Sequence, residues 1–487
     1  MSIKPRIGLL LVILIISIPI FSRLDTLSIR IWDEGRLANS AVEMYQTGNP
    51  LVVTYGFEPE MWSTKHPLLI WLQVLSLKIF GLNDLAFRMP TALSAVFTCL
   101  FLYWFAVKKI KSPWIGILSA LVLTTCPGYV MIHGIRTGDY DATLVFFTTL
   151  YTIFFFLFLE EERKKYFWLT ITFMICAVLT KGVAGVLFLP GLLIYIIYKK
   201  KITSVTKMPQ LYLGVFVFLF FTVGYYLLRE QYNPGYIDAV MENELGGRFS
   251  KTLEGHSYNR MYYFSYLGGE GFKPWYILCL MGIVLGVVSK EKFIRDITVF
   301  ILITCLSFLV VISMGETKLY WYTMPMYPLM AISVAVFIYT VACILNNTEW
   351  WKQYLSRNLL PYVFMLLLCI GPYIDMQKYV LEVRDPGHGE DDMSNVFKKV
   401  MTDGYPYSTK MTAIFFDYQS GLEWYLKVFN LRNVPITKSM EVWGLENEQL
   451  AITYNDGVKK LIEENYEAHV VSQENNVTIY QIHGKKH

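Results

Sequence analysis

Two adjacent carboxylates and an arginine stand shortly after the first apolar run of the sequence, in the segment Trp32-Asp33-Glu34-Gly35-Arg36. A carboxylate can act as general base toward a hydroxyl group, and a guanidinium binds phosphate through parallel hydrogen bonds. The same residues are typical of a helix start, where acidic side chains complement the helix dipole. The local pattern therefore favours neither a catalytic segment nor an ordinary first helical turn.

Other charged residues stand where apolar runs begin or end, a costly position that often has a function. Arg136, Asp139 and Asp141 crowd a short turn between two such runs, although a turn of this kind needs only a glycine and a polar residue or two. Lys65 precedes an amphipathic aromatic run, and Lys181 interrupts an apolar stretch with no acidic residue within a turn of it. Each lysine either binds an anionic lipid headgroup or is an ordinary interfacial charge. The turn either contains functional groups or is held by a structural Arg-Asp pair.

Basic, aromatic and histidine residues supply the remaining candidates. Those in the polar segment 229–273 and in the aromatic cap ahead of a later apolar run are Arg248, Arg260, Lys318 and Tyr322. His66 and His256 could bind a divalent metal ion, since imidazole is a common ligand, but a lone histidine is more often an ordinary loop residue. The aromatic cap is also typical of the belt at a membrane interface.

The composition indicates an integral membrane protein. Of the 487 residues, 54% are hydrophobic and only 17% are charged, against roughly 25% in soluble domains. The net charge of +4 is too small for the clustered basic face that nucleic acid requires. No nucleotide-binding or serine-hydrolase motif stands in a suitable context, so nucleotide-driven chemistry has no support. A lipid-linked sugar, whose phosphate leaves without a nucleotide site, fits as the activated substrate.

Eleven apolar runs approach the roughly 20 residues that cross a bilayer. They lie at about 6–22, 89–107, 113–132, 142–159, 166–180, 183–198, 210–228, 274–289, 295–313, 323–345 and 358–375. Lys4 and Arg6 precede the first run and no small-residue cleavage site follows it, which predicts an uncleaved anchor rather than a signal peptide.

The distribution of Lys and Arg over the short loops predicts the orientation in the membrane. The loops with the higher density of basic residues begin near Lys108, Arg163, Lys199, Lys290 and Lys352. These loops and the N-terminus are expected on the cytoplasmic side by the positive-inside rule. The polar segments 23–88 and 229–273 and the chain after about residue 376 then lie on the opposite face.

The chain changes character after the last apolar run, with charged residues and no further run long enough to span. A strand at 412–416, helices at 420–429 and 456–465, and strands near 469–472 and 477–482 predict a small α/β domain over 376–487. The predicted fold class is an all-α polytopic membrane protein with about eleven transmembrane helices over 1–375 and amphipathic helices in the first outer loop. The predicted fold also includes the small α/β domain at the C-terminus.

The order of these motifs resembles that of the GT-C superfamily of polytopic glycosyltransferases that use lipid-phosphate-linked sugars. The group in question is similar to protein O-mannosyltransferases and includes the bacterial lipid A aminoarabinose transferases. The matching motifs are Asp33-Glu34-x-Arg36, Lys65-x-Pro67, Gly81-x-x-x-x-Ala86-x-Arg88-x-Pro90, Arg136-x-Gly138-x-x-Asp141, Thr180-Lys181-Gly182, Glu242 with Arg248-Phe249, Phe272-x-Pro274-Trp275, and Lys318 with Tyr322-x-x-Pro325. They cover roughly residues 1–330, and their order is more specific than any one motif.

The resemblance implies a role for each matching residue. Asp33 would act on the acceptor with Glu34 beside it, and Asp141 would be a second carboxylate of the site. The donor phosphate would be bound by Arg36, Lys65, Lys181, Lys318 and Tyr322. Aminoarabinose transferases have a metal-binding glutamate at the position of Thr64, so a divalent ion here would depend on His66 and His256.

We therefore expect an enzyme, an integral membrane glycosyltransferase that acts as a monomer on the periplasmic face of the inner membrane. The N-terminus would be cytoplasmic and the C-terminal domain periplasmic. Its donor would be a polyprenyl (undecaprenyl) phosphate sugar, and its acceptor a hydroxyl or phosphate on a cell-envelope glycolipid such as lipid A.

Two alternatives stay open at this point. One is a protein O-glycosyltransferase of the same family, and the other is a transporter or flippase of lipid-linked sugars. The transferase is favoured because the two outer segments are long and rich in acidic residues. The sequence also shows no pair of broken helices of the kind found in transporters.

Overall fold

The structure, a computed structural model, describes residues 3–131, 133–246, 258–347, 359–382 and 392–486. The described chain is mostly helical. Its α-helices are Pro5–Phe21, Asp33–Thr47, Leu68–Phe80, Asp84–Phe105, Pro113–Thr124, Pro127–Val130, Tyr140–Glu161, Lys164–Lys181, Leu189–Tyr198, Ile202–Thr206, Pro209–Tyr232, Tyr236–Val240, Tyr262–Tyr266, Tyr276–Val287, Lys292–Met314, Tyr327–Asn347, Leu360–Leu381, Asp392–Asp403, Ser420–Leu431 and Asp456–Asn465. Short π- or 3-10-helical turns cover Ala106–Ile110, Gly182–Val186, Met241–Gly246, Leu267–Gly271 and Tyr320–Met326.

The protein is a multi-pass membrane protein by the length and apolar character of its helices. In the described ranges, seven helical stretches are long and apolar enough to cross a bilayer: Asp84–Ile110, Tyr140–Glu161, Lys164–Val186, Pro209–Tyr232, Lys292–Met314, Tyr320–Asn347 and Leu360–Leu381. The pair Tyr262–Gly271 and Tyr276–Val287, bent by 109°, makes an eighth if it is one span.

All eleven predicted apolar runs coincide with helices, but four of these helices are by themselves shorter than a span. They are Pro5–Phe21, Pro113–Thr124, Leu189–Tyr198 and Tyr276–Val287, the last of which belongs to the bent pair. The run predicted at 113–132 breaks where a new helix begins at Pro127, because proline cannot donate the backbone hydrogen bond of a helix interior. The run at 183–198 starts in the 3-10 turn Gly182–Val186 rather than in a regular helix.

The described chain divides into two compact units. The first consists of Met1–Ser22, Glu60–Leu69 and Pro90–Leu381 and holds most of the apolar helices. Small residues allow these helices to approach closely, since a Cβ added at Gly282 would lie 2.0 Å from the carbonyl oxygen of Ser333.

The second unit consists of Arg23–Pro59, Ile70–Met89 and Glu382–His487. It contains a short hairpin, β1 (Thr54–Tyr55) and β2 (Glu58–Pro59), and a five-stranded sheet in the order β4-β3-β5-β7-β6. The sheet strands are β3 (Met411–Ile414), β4 (Ile436–Ser439), β5 (Leu450–Thr453), β6 (Tyr466–Glu474) and β7 (Val477–Lys485). β3 runs parallel to β4 and β5, whereas β7 is antiparallel to β5 and β6.

The predicted small α/β fold at the C-terminus is confirmed. The predicted strands near 412–416, 469–472 and 477–482 correspond to β3, β6 and β7, and the helix Asp456–Asn465 has the predicted bounds. The strands β4 and β5, of four residues each, were not predicted from the sequence.

Within the second unit, the helix Asp33–Thr47 (the Asp33 helix) packs on the helix Ser420–Leu431 (the Ser420 helix) through two glycines. A Cβ at Gly35 would lie 2.5 Å from Ser420 Oγ, and one at Gly421 would lie 2.5 Å from the carbonyl oxygen of Ile29. Asn39 Nδ2 also donates a 2.7 Å hydrogen bond to the Ser420 carbonyl. These contacts set the position of Asp33 on the C-terminal α/β fold.

Candidate active site

Asp141 and Lys181 form a buried ion pair at the ends of two apolar helices. Asp141 stands in the first turn of the helix Tyr140–Glu161 (the Tyr140 helix), and Lys181 is the last residue of Lys164–Lys181. The Lys181 Nζ donates to both carboxylate oxygens of Asp141 at 2.6 Å. Since a buried charge without a partner is strongly destabilising, the lysine that lacks a neighbouring acid in the sequence finds one in the fold.

Lys65 and Tyr322 border this pair in the first unit. The Tyr322 ring centroid lies 5.7 Å from Lys181 Nζ, and the Lys65 Nζ lies 5.6 Å from the ring centroid of Tyr140. Lys65 Nζ is also 3.7 Å from Glu244 Oε1. Four predicted residues thus surround the start of the Tyr140 helix: Lys65, Asp141, Lys181 and Tyr322.

Glu244 is a member of this cluster that was not among the site residues predicted from the sequence. Gly182 has φ +53° and leaves room for it, because a Cβ at Gly182 would lie 3.1 Å from Glu244 Oε2. Asn243 Nδ2 donates to the carbonyl of Met61 at 3.0 Å and holds the same turn against the loop before Lys65. The acid-rich composition of the segment was its only sequence signal.

The turn before the Tyr140 helix is built around Asp139. Its Oδ2 lies 3.1 Å from His133 Nδ1 and accepts a 2.8 Å hydrogen bond from Thr137 Oγ1. The His133 ring stacks on Trp321 with 3.9 Å between centroids. Arg136 Nη1 donates to the Pro19 carbonyl at 3.4 Å, a contact with the first helix. His133 was not predicted, since nothing around it in the sequence distinguishes it.

The remaining predicted residues of the first unit have other local environments or lie outside the described residues. Lys318 is buried and its Nζ donates to the carbonyl of Gly315 at 2.6 Å. Arg260 is exposed. Arg248 and His256 lie outside the described residues.

His66 is buried between aromatic rings rather than among metal ligands. Its Nε2 lies 3.4 Å from the Thr222 carbonyl oxygen, and its ring centroid is 4.7 Å from Tyr225 and 4.4 Å from Tyr226. Burial lowers the pKa of His66 to about 4, against the opposing effect of the Thr222 bond. No three His, Cys, Asp or Glu side chains of the described ranges are grouped to hold a metal ion. The residues around His66 therefore do not fit a metal centre.

In the second unit, the adjacent acids Asp33 and Glu34 have different environments. Asp33 is exposed at the first position of the Asp33 helix, whereas Glu34 is buried. Arg88 donates to both oxygens of Glu34, from Nε at 2.6 Å and from Nη2 at 2.9 Å. Only Asp33 is therefore accessible to a substrate from solution.

Arg36 contacts two tyrosines of the second unit. Its guanidinium carbon lies 4.4 Å from the ring centroid of Tyr55, and its Nη1 is 3.5 Å from the Tyr418 hydroxyl. Burial and the hydrogen bond to Glu423 raise the pKa of Tyr55, so its phenol stays neutral. Arg36 keeps its charge because a guanidinium does not lose its proton in proteins.

Residues 64–226 match a family model described as dolichyl-phosphate-mannose-protein mannosyltransferase. An uncharacterized protein from Aquifex aeolicus (strain VF5) is 26% identical over 333 residues, 68% of this chain and 63% of that protein. A second relative is undecaprenyl phosphate-alpha-4-amino-4-deoxy-L-arabinose arabinosyl transferase 2 from Sodalis glossinidius (strain morsitans). It is 29% identical over 139 residues, which are 28% of this chain and 23% of that protein.

The crystal structure of ArnT from Cupriavidus metallidurans bound to undecaprenyl phosphate superposes with a TM-score of 0.72 over 98% of both chains, at 16% identity. The fold is thus shared with this neighbour over nearly the whole length of both chains. Together with the family match, it confirms the resemblance expected from the order of the motifs. The expected enzyme class, a glycosyltransferase with a lipid-linked donor, is that of the matched family and of the named transferase.

Proposed function

We propose that the protein is an integral membrane glycosyltransferase that transfers a sugar from a polyprenyl phosphate donor to an acceptor hydroxyl or phosphate. The observation that carries the proposal is the buried pair of Asp141 and Lys181 with Lys65 and Tyr322 beside it. Lys181 ends one apolar helix and Lys65 shortly precedes another, so both suit a lipid phosphate, whose charge lies at the boundary of the membrane. The matched family and the neighbour bound to undecaprenyl phosphate add support.

The reaction we propose is a single displacement at the anomeric carbon of the sugar. The acceptor oxygen forms the new bond to this carbon while the bond from carbon to phosphate oxygen breaks, and the polyprenyl phosphate leaves with the electron pair. Asp33 takes the proton of the acceptor hydroxyl as general base. One displacement inverts the configuration of the anomeric carbon.

Cationic side chains stabilise the charge that develops on the leaving phosphate. Lys65 and Lys181 would supply positive charge to this phosphate. Arg36, Lys318 and Tyr322 would be further contacts to the donor. Positive groups held in place before the reaction lower the barrier, since they need no reorganisation in the transition state.

Two of the proposed catalytic carboxylates act through another residue. Glu34 has both oxygens on Arg88 and fixes the start of the Asp33 helix, so its neighbour Asp33 has one position. Asp141 holds the ammonium group of Lys181 with both oxygens. We assign both as positioning residues and keep Asp33 as the general base.

The proposed setting is the inner membrane, with the site on the periplasmic side. The support is the alternation of basic loops, which assigns the N-terminus to the cytoplasm and residues 376–487 to the opposite side. The proposed acceptor is a cell-envelope glycolipid such as lipid A, and a protein hydroxyl is the second candidate. Mass spectrometry of envelope glycolipids and glycoproteins from cells with and without the protein would distinguish them.

Asp33→Asn tests the reaction. The amide cannot take up the proton, so sugar transfer from labelled donor should be lost while folding and membrane insertion stay normal. Asp25→Asn is the matched control, because Asp25 is an exposed acid of the same polar segment. Full transfer by Asp33→Asn would refute its role as base.

Reconstitution separates a transferase from a flippase. Protein in vesicles with labelled polyprenyl phosphate sugar and an envelope lipid extract should form a new glycosidic product. Movement of the donor between leaflets without product would identify a flippase and overturn the proposal.

A further inference from the structure

Three aromatic side chains of the second unit form a continuous row, which we call the aromatic row: Trp32, Tyr418 and Tyr55. The ring centroids of Trp32 and Tyr418 are 5.0 Å apart with 35° between planes, and those of Tyr418 and Tyr55 are 6.1 Å apart with 32°. Trp32 is 61% exposed at one end of the row. A large indole in this position contributes little to any core.

The backbone at Trp32 makes the choice of residue more unusual. Its φ is 73°, a region that residues other than glycine seldom adopt, and its N–H donates to Ser420 Oγ at 3.0 Å. Glycine would take this conformation without steric cost. Neither packing nor local conformation explains a tryptophan here, and strained positions of this kind concentrate at ligand sites.

The row lies at the edge of the sheet where ligands of open α/β sheets bind. After β3 the chain passes through the Ser420 helix to β4 on one side, and after β5 it passes through the helix Asp456–Asn465 toward β6 on the other. This is a topological switch point, and ligands of open α/β sheets bind at the carboxyl ends of the strands at such points. Tyr418 belongs to the loop after β3.

Charged groups of both signs surround the row: the Arg36 guanidinium lies on the ring of Tyr55, and carboxylates stand beside Trp32 and Tyr418. Asp33 follows Trp32 directly and is exposed. Asp417 accepts hydrogen bonds from Gln419 Nε2 at 3.1 Å and from the hydroxyl of Tyr454, the residue after β5. Burial alone would raise the pKa of Asp417, but these hydrogen bonds outweigh it and lower the pKa, so the carboxylate is ionised near neutral pH.

Aromatic faces bordered by carboxylates suit a pyranose ring. The axial C–H groups of a sugar pack on an aromatic face, where the π-electrons carry partial negative charge. Its hydroxyl groups donate hydrogen bonds to ionised carboxylates, which are strong acceptors. A peptide segment offers no comparable flat C–H face beside a set of hydroxyl donors.

We propose that the aromatic row is the acceptor subsite and that its ligand is a pyranose saccharide. The proposal rests on the proposed function and names the class of its acceptor as a glycan or glycolipid rather than a protein hydroxyl. Since Asp33 follows Trp32 in the chain, a sugar stacked on the indole presents a hydroxyl group to the carboxylate that takes its proton.

Direct binding tests the subsite without any transfer reaction. Full-length protein in detergent micelles is titrated with N,N′-diacetylchitobiose by saturation-transfer-difference NMR, with a serine- and threonine-rich peptide as the competing probe. Trp32→Gly should weaken disaccharide binding about tenfold, the loss of one stacking contact, and Trp32→Phe should weaken it less. Trp443→Ala is the matched control, because Trp443 is also an exposed tryptophan of the same unit, and this variant should bind the disaccharide normally.

The outcomes are separable from those of the transfer assay. Because glycine fits the backbone at position 32, Trp32→Gly should unfold at the wild-type temperature or above it, so lost binding would report on the indole. Asp33→Asn should abolish transfer while disaccharide binding stays detectable, because the indole still stacks and an amide oxygen still accepts a hydrogen bond. Equal disaccharide binding by wild type and Trp32→Gly, the absence of binding to wild type, or binding of the peptide alone would overturn the proposal, whereas absent transfer with intact binding would refute only the proposed reaction.

Discussion

Arg88 holds both carboxylate oxygens of Glu34, with Nε to Oε1 at 2.6 Å and Nη2 to Oε2 at 2.9 Å, and each side chain is 2% exposed. The same guanidinium donates to three carbonyls, those of Leu24 at 2.9 Å, Leu27 at 2.8 Å and Ser28 at 2.8 Å. One buried cation therefore organises the segment that leads to Asp33.

Single substitutions in this pair should be much more harmful than the double one. Arg88→Met or Glu34→Gln alone leaves a buried charge without its partner and should lower the free energy of unfolding by about 3–5 kcal/mol. Glu34→Gln with Arg88→Met removes both charges and should cost less than the sum of the single effects. Thermal unfolding of the four proteins in detergent gives the cycle, and additive effects would contradict a direct coupling.

Lys181→Met should abolish one positive contact with the donor phosphate. We expect the turnover rate to fall by about 10²- to 10³-fold, the usual effect of removing one electrostatic contact to the transition state. Single-turnover assays with labelled donor measure this rate. Lys199→Met is the matched control, because Lys199 bridges Glu160 at 2.8 Å and Asp296 at 3.1 Å near the other end of the Tyr140 helix. An equal loss in both variants would mean that Lys181 supports only the fold.

The stability of the protein should fall on acidification through His66. The pKa of His66 is about 4 in the fold and 6.5 in the unfolded chain, so between these pH values the unfolded state binds more protons. The free energy of unfolding should decrease by a total on the order of 3 kcal/mol as the pH falls through this interval. Thermal unfolding of wild type and His66→Gln from pH 7 to 4 measures the effect. The variant should show the smaller slope, and parallel curves would assign the pH dependence to other groups.

Asp84 should be essential for the second unit. Its carboxylate accepts hydrogen bonds from Trp424 Nε1 at 3.0 Å, the Tyr425 hydroxyl at 2.7 Å and Lys398 Nζ at 2.7 Å. Asp84→Ala leaves these donors without their acceptor and should cost about 3 kcal/mol or more, since each buried unsatisfied group costs about 1–3 kcal/mol. Limited proteolysis and thermal unfolding would detect the loss.

Asp456→Ala provides the contrast for Asp84. The Asp456 side chain is 91% exposed, and its ion pair with Lys459 lies on the surface. Such a substitution should change stability by no more than about 0.5 kcal/mol. A similar effect of both substitutions would mean that the buried network of Asp84 is not what stabilises the unit.

The sequence alone located the helices and most elements of the C-terminal fold. Apolar runs and short-range periodicity are local properties, so the helix Asp456–Asn465 and the spans around Tyr140–Glu161 could be recognised without knowledge of any contact. The strands β4 and β5 were not recognised because they depend on pairing with β3, which lies between them in the sheet.

The sequence also indicated candidate site residues, because acids and lysines beside apolar runs are costly and call for an explanation. It did not indicate which residues these side chains contact. Glu34 pairs with a residue 54 positions away and Asp141 with one 40 positions away, and neither distance follows any periodicity of the chain. Only the tertiary structure decided that Glu34 is enclosed by Arg88 while Asp33 stays exposed beside Trp32, because burial depends on which distant segments pack together.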